Sequence, residues 1–220
     1  MSLSELLTRT EAETAAPKGS TGRQIGVAIG IVTNIEDPDN LGRVRVKFPW
    51  FSEDDESGWA RVATLMAGKE RGSLFLPEVD DEVLVAFEHG DMRKPYVIGA
   101  LWNGVDVLPP EFTNDGKNNV RFIKSRSGHL IKLDDTDGSE KIEVIDKSGK
   151  NSIVIDTKEN TITITTDKDM VLKAPQGKIS LTAKEVELKS SAALTVEAGS
   201  EMNIKTSATL NVKGATVNIN

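Results

Sequence analysis

From residue 168 onward the chain repeats itself every eight residues, and this constrains its fold more than any other feature. Cut at that period it reads "KDMVLKAP", "QGKISLTA", "KEVELKSS", "AALTVEAG", "SEMNIKTS" and "ATLNVKGA". Self-similarity at a fixed period takes precedence over any local reading. The third and fifth places of most blocks are apolar: Met170/Leu172, Val186/Leu188, Leu194/Val196, Met202/Ile204 and Leu210/Val212. The last two places are small or turn-forming, from Ala174-Pro175 to Gly214-Ala215. In the second block the pair Ile179/Leu181 sits one place late, a slip that a bulge can absorb before it turns the side chains to the wrong face. Upstream, "NTITITTD" adds Ile162/Ile164 to the series.

Two apolar side chains per block are too few for a single chain. Burying them stabilises by roughly 3–6 kcal/mol, whereas fixing eight backbones costs roughly 8–16 kcal/mol. Eight residues of strand cover about 26 Å, which cannot close a filled ring but can form one side of a prism with a bend at each corner. Three chains wound together would each supply one side of every layer, with strand hydrogen bonds running between chains. The expected needle is a trimeric triple-stranded β-helix over 161–220, its core formed by Ile162, Ile164, Met170, Leu172, Ile179, Leu181, Val186, Leu188, Leu194, Val196, Met202, Ile204, Leu210 and Val212. Outward places such as Lys173, Glu187, Lys189, Asn203 and Asn211 are polar. Alternation alone also fits an antiparallel meander, although the corner pairs offer few Asn-Gly or Asp-Gly turns. Dense charge and Pro175 oppose an amyloid-like stack.

The other segments are read from pattern and punctuation. Residues 1–23 are expected to form a short helix and linker, with Leu3, Leu6 and Leu7 on one helix face. Residues 24–106 carry five short strand signals: "VAIGIVTNI", "GRVRVKF", "GWARVATL", "EVLVAF" and "PYVIGAL". Five strands in so short a span fit an oligonucleotide/oligosaccharide-binding (OB) barrel, in which closure removes exposed sheet edges. Trp50, Trp59 and Trp102 lie in or beside it, as core and rim packing rather than a base-stacking platform. A linker over 107–120 leads into a neck of β-hairpins over 121–160, where "SRSGH", "DTDGSE" and "DKSGKN" place glycine in the turns. The acidic "DDTDGSE" does not form a calcium loop, because that motif requires an acidic residue where Leu133 stands. The fold class is therefore all-β.

Composition narrows the functional classes. A net charge of −7 and a sequence pI near 5.0 oppose a general phosphate-binding surface, so nucleic acid is not an expected partner. There is no cysteine and only two histidines, His89 and His129, and neither a Gly-x-Ser-x-Gly nor a phosphate-loop signature is present. No catalytic residue, metal ligand or cofactor is expected. The N-terminus lacks the basic start and uninterrupted apolar core of a signal peptide, so the expected place of synthesis is the cytosol.

In order along the chain, "GIVTNIEDPDNLGRVRVKFPW", "GWARVATLMAG", "GSLFLPEVDDEVLVAFEHGD", "PYVIGALWNG", "IKSRSGHLIKLDDTDGSEKIEVID" and the octads resemble the central spike of contractile injection machines. That family includes the valine-glycine-repeat spikes of type VI secretion and the baseplate spikes of contractile-tailed phages and phage-tail-like particles. The resemblance covers about residues 24–220. Where the family often has Gly-Asp-Glu-Val, this chain has Asp80-Asp81-Glu82-Val83, and aspartate tolerates the left-handed turn. The large hub domain that precedes the barrel in type VI spikes is not expected in this chain, where only the short leader stands before it, and 107–120 is too short to hold the lysozyme domain that some phage spikes insert there.

The resemblance implies a homotrimeric spike in a phage or phage-tail-like particle, acting outside the producing cell on a target envelope. It implies a separate trimeric hub protein, contacted by Leu3, Leu6 and Leu7. At the C-terminal end it implies a tip protein of the proline-alanine-alanine-arginine-repeat kind, seated on Val217, Ile219 and Asn220. Some phage spikes hold iron in a His-x-His tip, but "GATVNIN" has no histidine to do so. The expected function is mechanical, with the sheath driving the needle into an envelope. An enzyme, or a fibre whose barrel binds a sugar or nucleic acid, is the competing reading.

Overall fold

The computed structural model describes residues 26–51 and 56–219, which form strands, turns and a single 3-10 turn. The chain divides into two compact units after Thr165.

The first unit begins with a barrel. Its strands are β1 (Val27–Asn34), β2 (Arg45–Lys47), β3 (Arg61–Val62), a small hairpin of β4 (Ala67–Gly68) and β5 (Arg71–Gly72), then β6 (Glu82–Phe87) and β7 (Pro95–Ala100). The sheet runs β2-β1-β6-β7-β3, antiparallel except for the β3–β7 pair. Bridges Val44–Ala60 and Lys47–Glu56 then join its two ends. The Val44 and Ala60 amides donate to each other's carbonyls at 3.0 and 2.7 Å, and the Ser57 amide donates to Val46 at 2.8 Å. A ring closed in this way leaves no long unpaired edge.

Alternation along β1 and β6 turns every second residue inward. The core is Ala28, Val32, Val44, Val46, Phe48, Ala60, Val83, Val85, Phe87 and Val97. Its dominance by valine follows from the narrow interior of a small barrel, which β-branched side chains fill with little loss of rotamer freedom. Gly30 is needed here: a Cβ would stand 3.3 Å from both Phe48 Cε1 and Val85 Cγ2. The tryptophans lie outside this core. Trp50 and Trp102 are largely exposed, and Trp59 lies under the guanidinium groups of Arg43 and Arg45.

Two loops fix the barrel's ends. In "EDPDNLG", Asp37 accepts the amides of Asp39, Leu41 and Arg43, and the Arg43 guanidinium at 2.9 and 2.6 Å. These donors, led by the Arg43 side chain, hold the Asp37 carboxyl well below the usual carboxylate range. Before β6, Asp80 adopts φ +76° and donates its amide to Val32, so aspartate takes the left-handed place in this turn.

Beyond the barrel, β8 (Val120–Lys124), β9 (Leu130–Asp134), β10 (Lys141–Ile145), β11 (Ser152–Asp156) and β12 (Thr161–Thr165) form an antiparallel meander in sequence order. The register pairs Ile123 with Ile131, Leu133 with Ile142, Val144 with Ile153 and Ile155 with Ile162. One face therefore carries Ile123, Ile131, Leu133, Ile142, Val144, Ile153, Ile155, Ile162 and Ile164, all exposed, with Arg121 at its corner. The opposite face holds ion pairs of Lys132 with Glu143 and, at 3.2 Å, of Lys141 with Asp156. The Glu143 carboxylate raises the Lys132 pKa above its ordinary value. Glu111, from the segment before β8, meets Lys124 on this face at 2.7 Å.

The second unit, described through residue 219, contains no strand ladder among its described residues. Its backbone bends at residues 167–168, 175–177, 184, 191–192, 199–200, 207–208 and 215–216, close to the eight-residue period of the sequence. Small hydroxyl residues shape several corners: Ser190 Oγ donates to the Ala193 carbonyl at 2.8 Å, and the Ala208 amide donates to Thr206 Oγ1 at 3.2 Å. The one-place slip at Ile179/Leu181 follows a longer corner, where the Gly177 amide donates to Ala174 at 3.2 Å. A shorter corner at residue 184 restores the phase.

Candidate functional site

The predicted core residues of the needle are on the surface of this single chain. Along the octads from Met170 to Val212 their exposure runs from 46% at Met202 to 71% at Leu181. Ile162 and Ile164 belong to β12, so the structure joins them to the meander as its last strand. Val217 and Ile219 are exposed, Ile219 at 91%. Asn220 and the leader residues Leu3, Leu6 and Leu7 lie outside the described residues.

Extended chain with unladdered amides and carbonyls is stable only where those groups find partners or water, and its apolar side chains favour burial. The octads present both kinds of group together at a fixed period. What they can do chemically is associate: the alternation supplies one apolar row and one polar row, and the small corner residues allow close approach of other backbone.

The barrel offers a groove of about 970 Å³ between its wall and the β4–β5 hairpin, lined by Trp59, Arg61, Phe75 and Tyr96 among others. Five cations line it: Arg43, Arg61, Arg71, Arg93 and Lys94. Three are already paired within the chain, Arg43 with Asp37 and Asp39, Arg93 with Asp91, and Lys94 with Glu88. Arg61 lies over the Tyr96 ring, 5.8 Å from its centroid. Such partners neutralise the field a phosphate chain would require. Among the described residues no group of three or more His, Cys, Asp or Glu side chains is arranged to hold a metal ion. His129 accepts the Lys147 amide through Nδ1 at 3.2 Å, in a turn rather than a cleft.

Sequence reasoning missed the β4–β5 hairpin, whose arm exposes Leu65, Met66, Leu74 and Phe75. The available signal was the pair Gly68 and Gly72 flanking "KER" within an apolar stretch. It also missed the extent of the meander's apolar face, which was legible as "IEVI", "SIVI" and "TITI" once the strands were known to pair in order.

Comparison with known proteins finds likenesses over part of this chain. Residues 28–102 match the family described as the type VI secretion system/phage-baseplate injector OB domain. The type VI secretion system spike protein VgrG1a of Pseudomonas aeruginosa is 29% identical over 143 residues, which is 60% of this chain and 22% of that protein. VgrG3 of Vibrio cholerae is 33% identical over 111 residues, 47% of this chain and 11% of that protein. VgrG5 of P. aeruginosa is 33% identical over 131 residues, 56% of this chain and 17% of that protein. The chain thus spans no more than 22% of the length of these relatives. The closed barrel of residues 28–102 is thus similar to the injector OB domain, and the chain that carries it is similar over part of its length to type VI secretion system spike proteins.

Proposed function

We propose that three copies of this chain form the central spike of a contractile injection machine, with residues 161–220 wound into a triple-stranded β-helix that pierces the target envelope. The observation that carries this reading is the exposure of every octad pair, between 46% and 71%, on a backbone that bends about every eight residues. Three such chains would cover one another's apolar rows and ladder one another's backbones, a demand that one chain cannot meet from its own residues. The role is mechanical and non-enzymatic. Axial force applied to interlocked strands is opposed by many interchain hydrogen bonds at once, and no chain can leave alone, which gives kinetic resistance to unfolding.

The remaining assignments belong to the same proposal. The barrel and neck, over 24–106 and 121–160 with a linker over 107–120, connect needle to baseplate. Leu3, Leu6 and Leu7 contact a trimeric hub protein, and Val217, Ile219 and Asn220 seat a conical tip protein. The particle is assembled in the bacterial cytoplasm and acts on the envelope of another cell. The competing reading, a fibre whose barrel binds a sugar or nucleic acid, would place its ligand in the groove beside Trp59. The pairing of Arg43, Arg93 and Lys94 weighs against nucleic acid there.

The test is oligomeric state and resistance to detergent. The purified chain is expected to scatter light as a trimer and to run as a trimer in dodecyl sulfate before prolonged boiling. A monomer in native buffer would remove the basis of the reading.

A further inference from the structure

A repeat that builds a needle also creates a problem of alignment. Each octad offers nearly the same apolar pair and the same small corner, so a chain displaced by one block meets partners of the same kind. Register is weakly specified wherever a slip restores equivalent contacts. Something outside the repeat must fix which octad of one copy faces which octad of the next.

The meander has the required properties. Its strands are ordered by their own antiparallel register, without help from another copy. One face is aliphatic across all five strands, from Ile123 to Ile164, and these residues are exposed in the single chain. The other face mixes Phe122, Leu130, Ile145 and Val154 with the ion pairs of Lys132 with Glu143 and Lys141 with Asp156, and it is the less exposed of the two in the single chain. A contiguous apolar face of this kind marks an interaction surface on a soluble protein. Its occupant follows from the chain itself: Ile162 and Ile164 lie on this face and also open the series of apolar pairs that runs on through the octads. A foreign partner on the meander would have to stop where copies of the chain take over. Like the rest of the series, the face fits further copies of this chain.

We infer that the apolar face of the meander is a registration interface, through which three copies join and so fix the axial phase of the octads. Unlike the octads, this face does not repeat, so copies joined through it have one alignment. This inference rests on the trimeric reading proposed above.

The experiment uses the full chain. The protein has no cysteine, so Lys205→Cys accepts one nitroxide label per copy in the octads. Distances between labels are measured by pulsed electron resonance in the parent and in Val144→Glu/Ile153→Glu, a directly paired position on the apolar face. The parent is expected to give a trimer with one narrow distance. The face variant is expected to give several or broadened distances, or no trimer, while tryptophan emission shows that its barrel remains folded. Val144→Thr/Ile153→Thr, which keeps strand-forming side chains, is expected to broaden the distribution in the same sense. Thr163→Glu, on the opposite face, is expected to leave it narrow. An unchanged trimer and distance in both face variants would overturn the inference while leaving the trimer intact, as would equal disruption by Thr163→Glu. A monomeric parent would overturn the trimeric reading and this one with it.

Discussion

The barrel and the octads are written in the same alternation, yet one buries its apolar residues and the other exposes them. In the barrel, Val32, Val44, Val46, Val83 and Val85 are fully buried, because strands far apart in sequence return to pair and close a ring. In the octads the corners are small side chains rather than hairpin loops, so the chain moves on after each block and never returns to its own neighbour. The difference teaches that alternation specifies a face but not who covers it. Loop chemistry decides whether that cover is the same chain or another.

The comparison can be broken most severely within the octads. Replacing both Leu194 and Val196 with glutamate should abolish the detergent-resistant trimer, since like charges would be buried at the proposed axis. Barrel tryptophan emission should be unchanged, and loss of both together would mean that the two regions are not independent. In the barrel, Val85→Ala should lower stability by about 2 kcal/mol through lost contacts and a residual cavity, read from the denaturant midpoint of tryptophan emission. Gly30→Ala should cost about 1 kcal/mol or more, because its Cβ would press on Phe48 and Val85. Neither barrel substitution should change the number of chains by light scattering.

Acid sharpens the contrast more gently. The Asp37 carboxyl is held low by the Arg43 side chain, and that of Asp146 is held down to about 2 by hydrogen bonds from Ser148 and Asn151. A carboxyl whose folded value is depressed stabilises the fold above its unfolded value, near 4, and loses that contribution as pH falls through the folded value. Melting temperature should therefore decline as pH drops from about 4 toward 2, and Asp37→Asn should weaken the acid dependence contributed by the barrel. The smallest effect is expected at Arg126, whose pair with Glu78 at 2.8 Å is solvent-exposed. Arg126→Ala should change stability by less than about 1 kcal/mol in a thermal melt.

Much of the fold was legible because its signals are local. The five barrel strands expected from "VAIGIVTNI", "GRVRVKF", "GWARVATL", "EVLVAF" and "PYVIGAL" correspond to β1, β2, β3, β6 and β7. The hairpin turns at "SRSGH", "DTDGSE" and "DKSGKN" separate β8, β9, β10 and β11. Other features were not legible, for physical reasons. The β4–β5 hairpin has only two residues per strand, and its turn places Glu70 at φ +55° without a characteristic turn residue. Trp50 and Trp102 read as packing groups by type, but their exposure depends on which side of a curved sheet each one leaves. As for the candidate site, the octad pairs were readable from the period alone, whereas the extent of the meander face required the register.

What the sequence determined by itself is periodicity: two-residue alternation, eight-residue blocks, and the turn and corner chemistry between them, all set by neighbouring residues. Only the tertiary structure decided that Val44 meets Ala60 to close the barrel, that β12 joins the meander, and that one face of that sheet gathers nine exposed aliphatic side chains while the other mixes apolar groups with ion pairs. The physical reason is that pairing between distant strands depends on register, and register is a property of the assembled sheet rather than of any one strand within it.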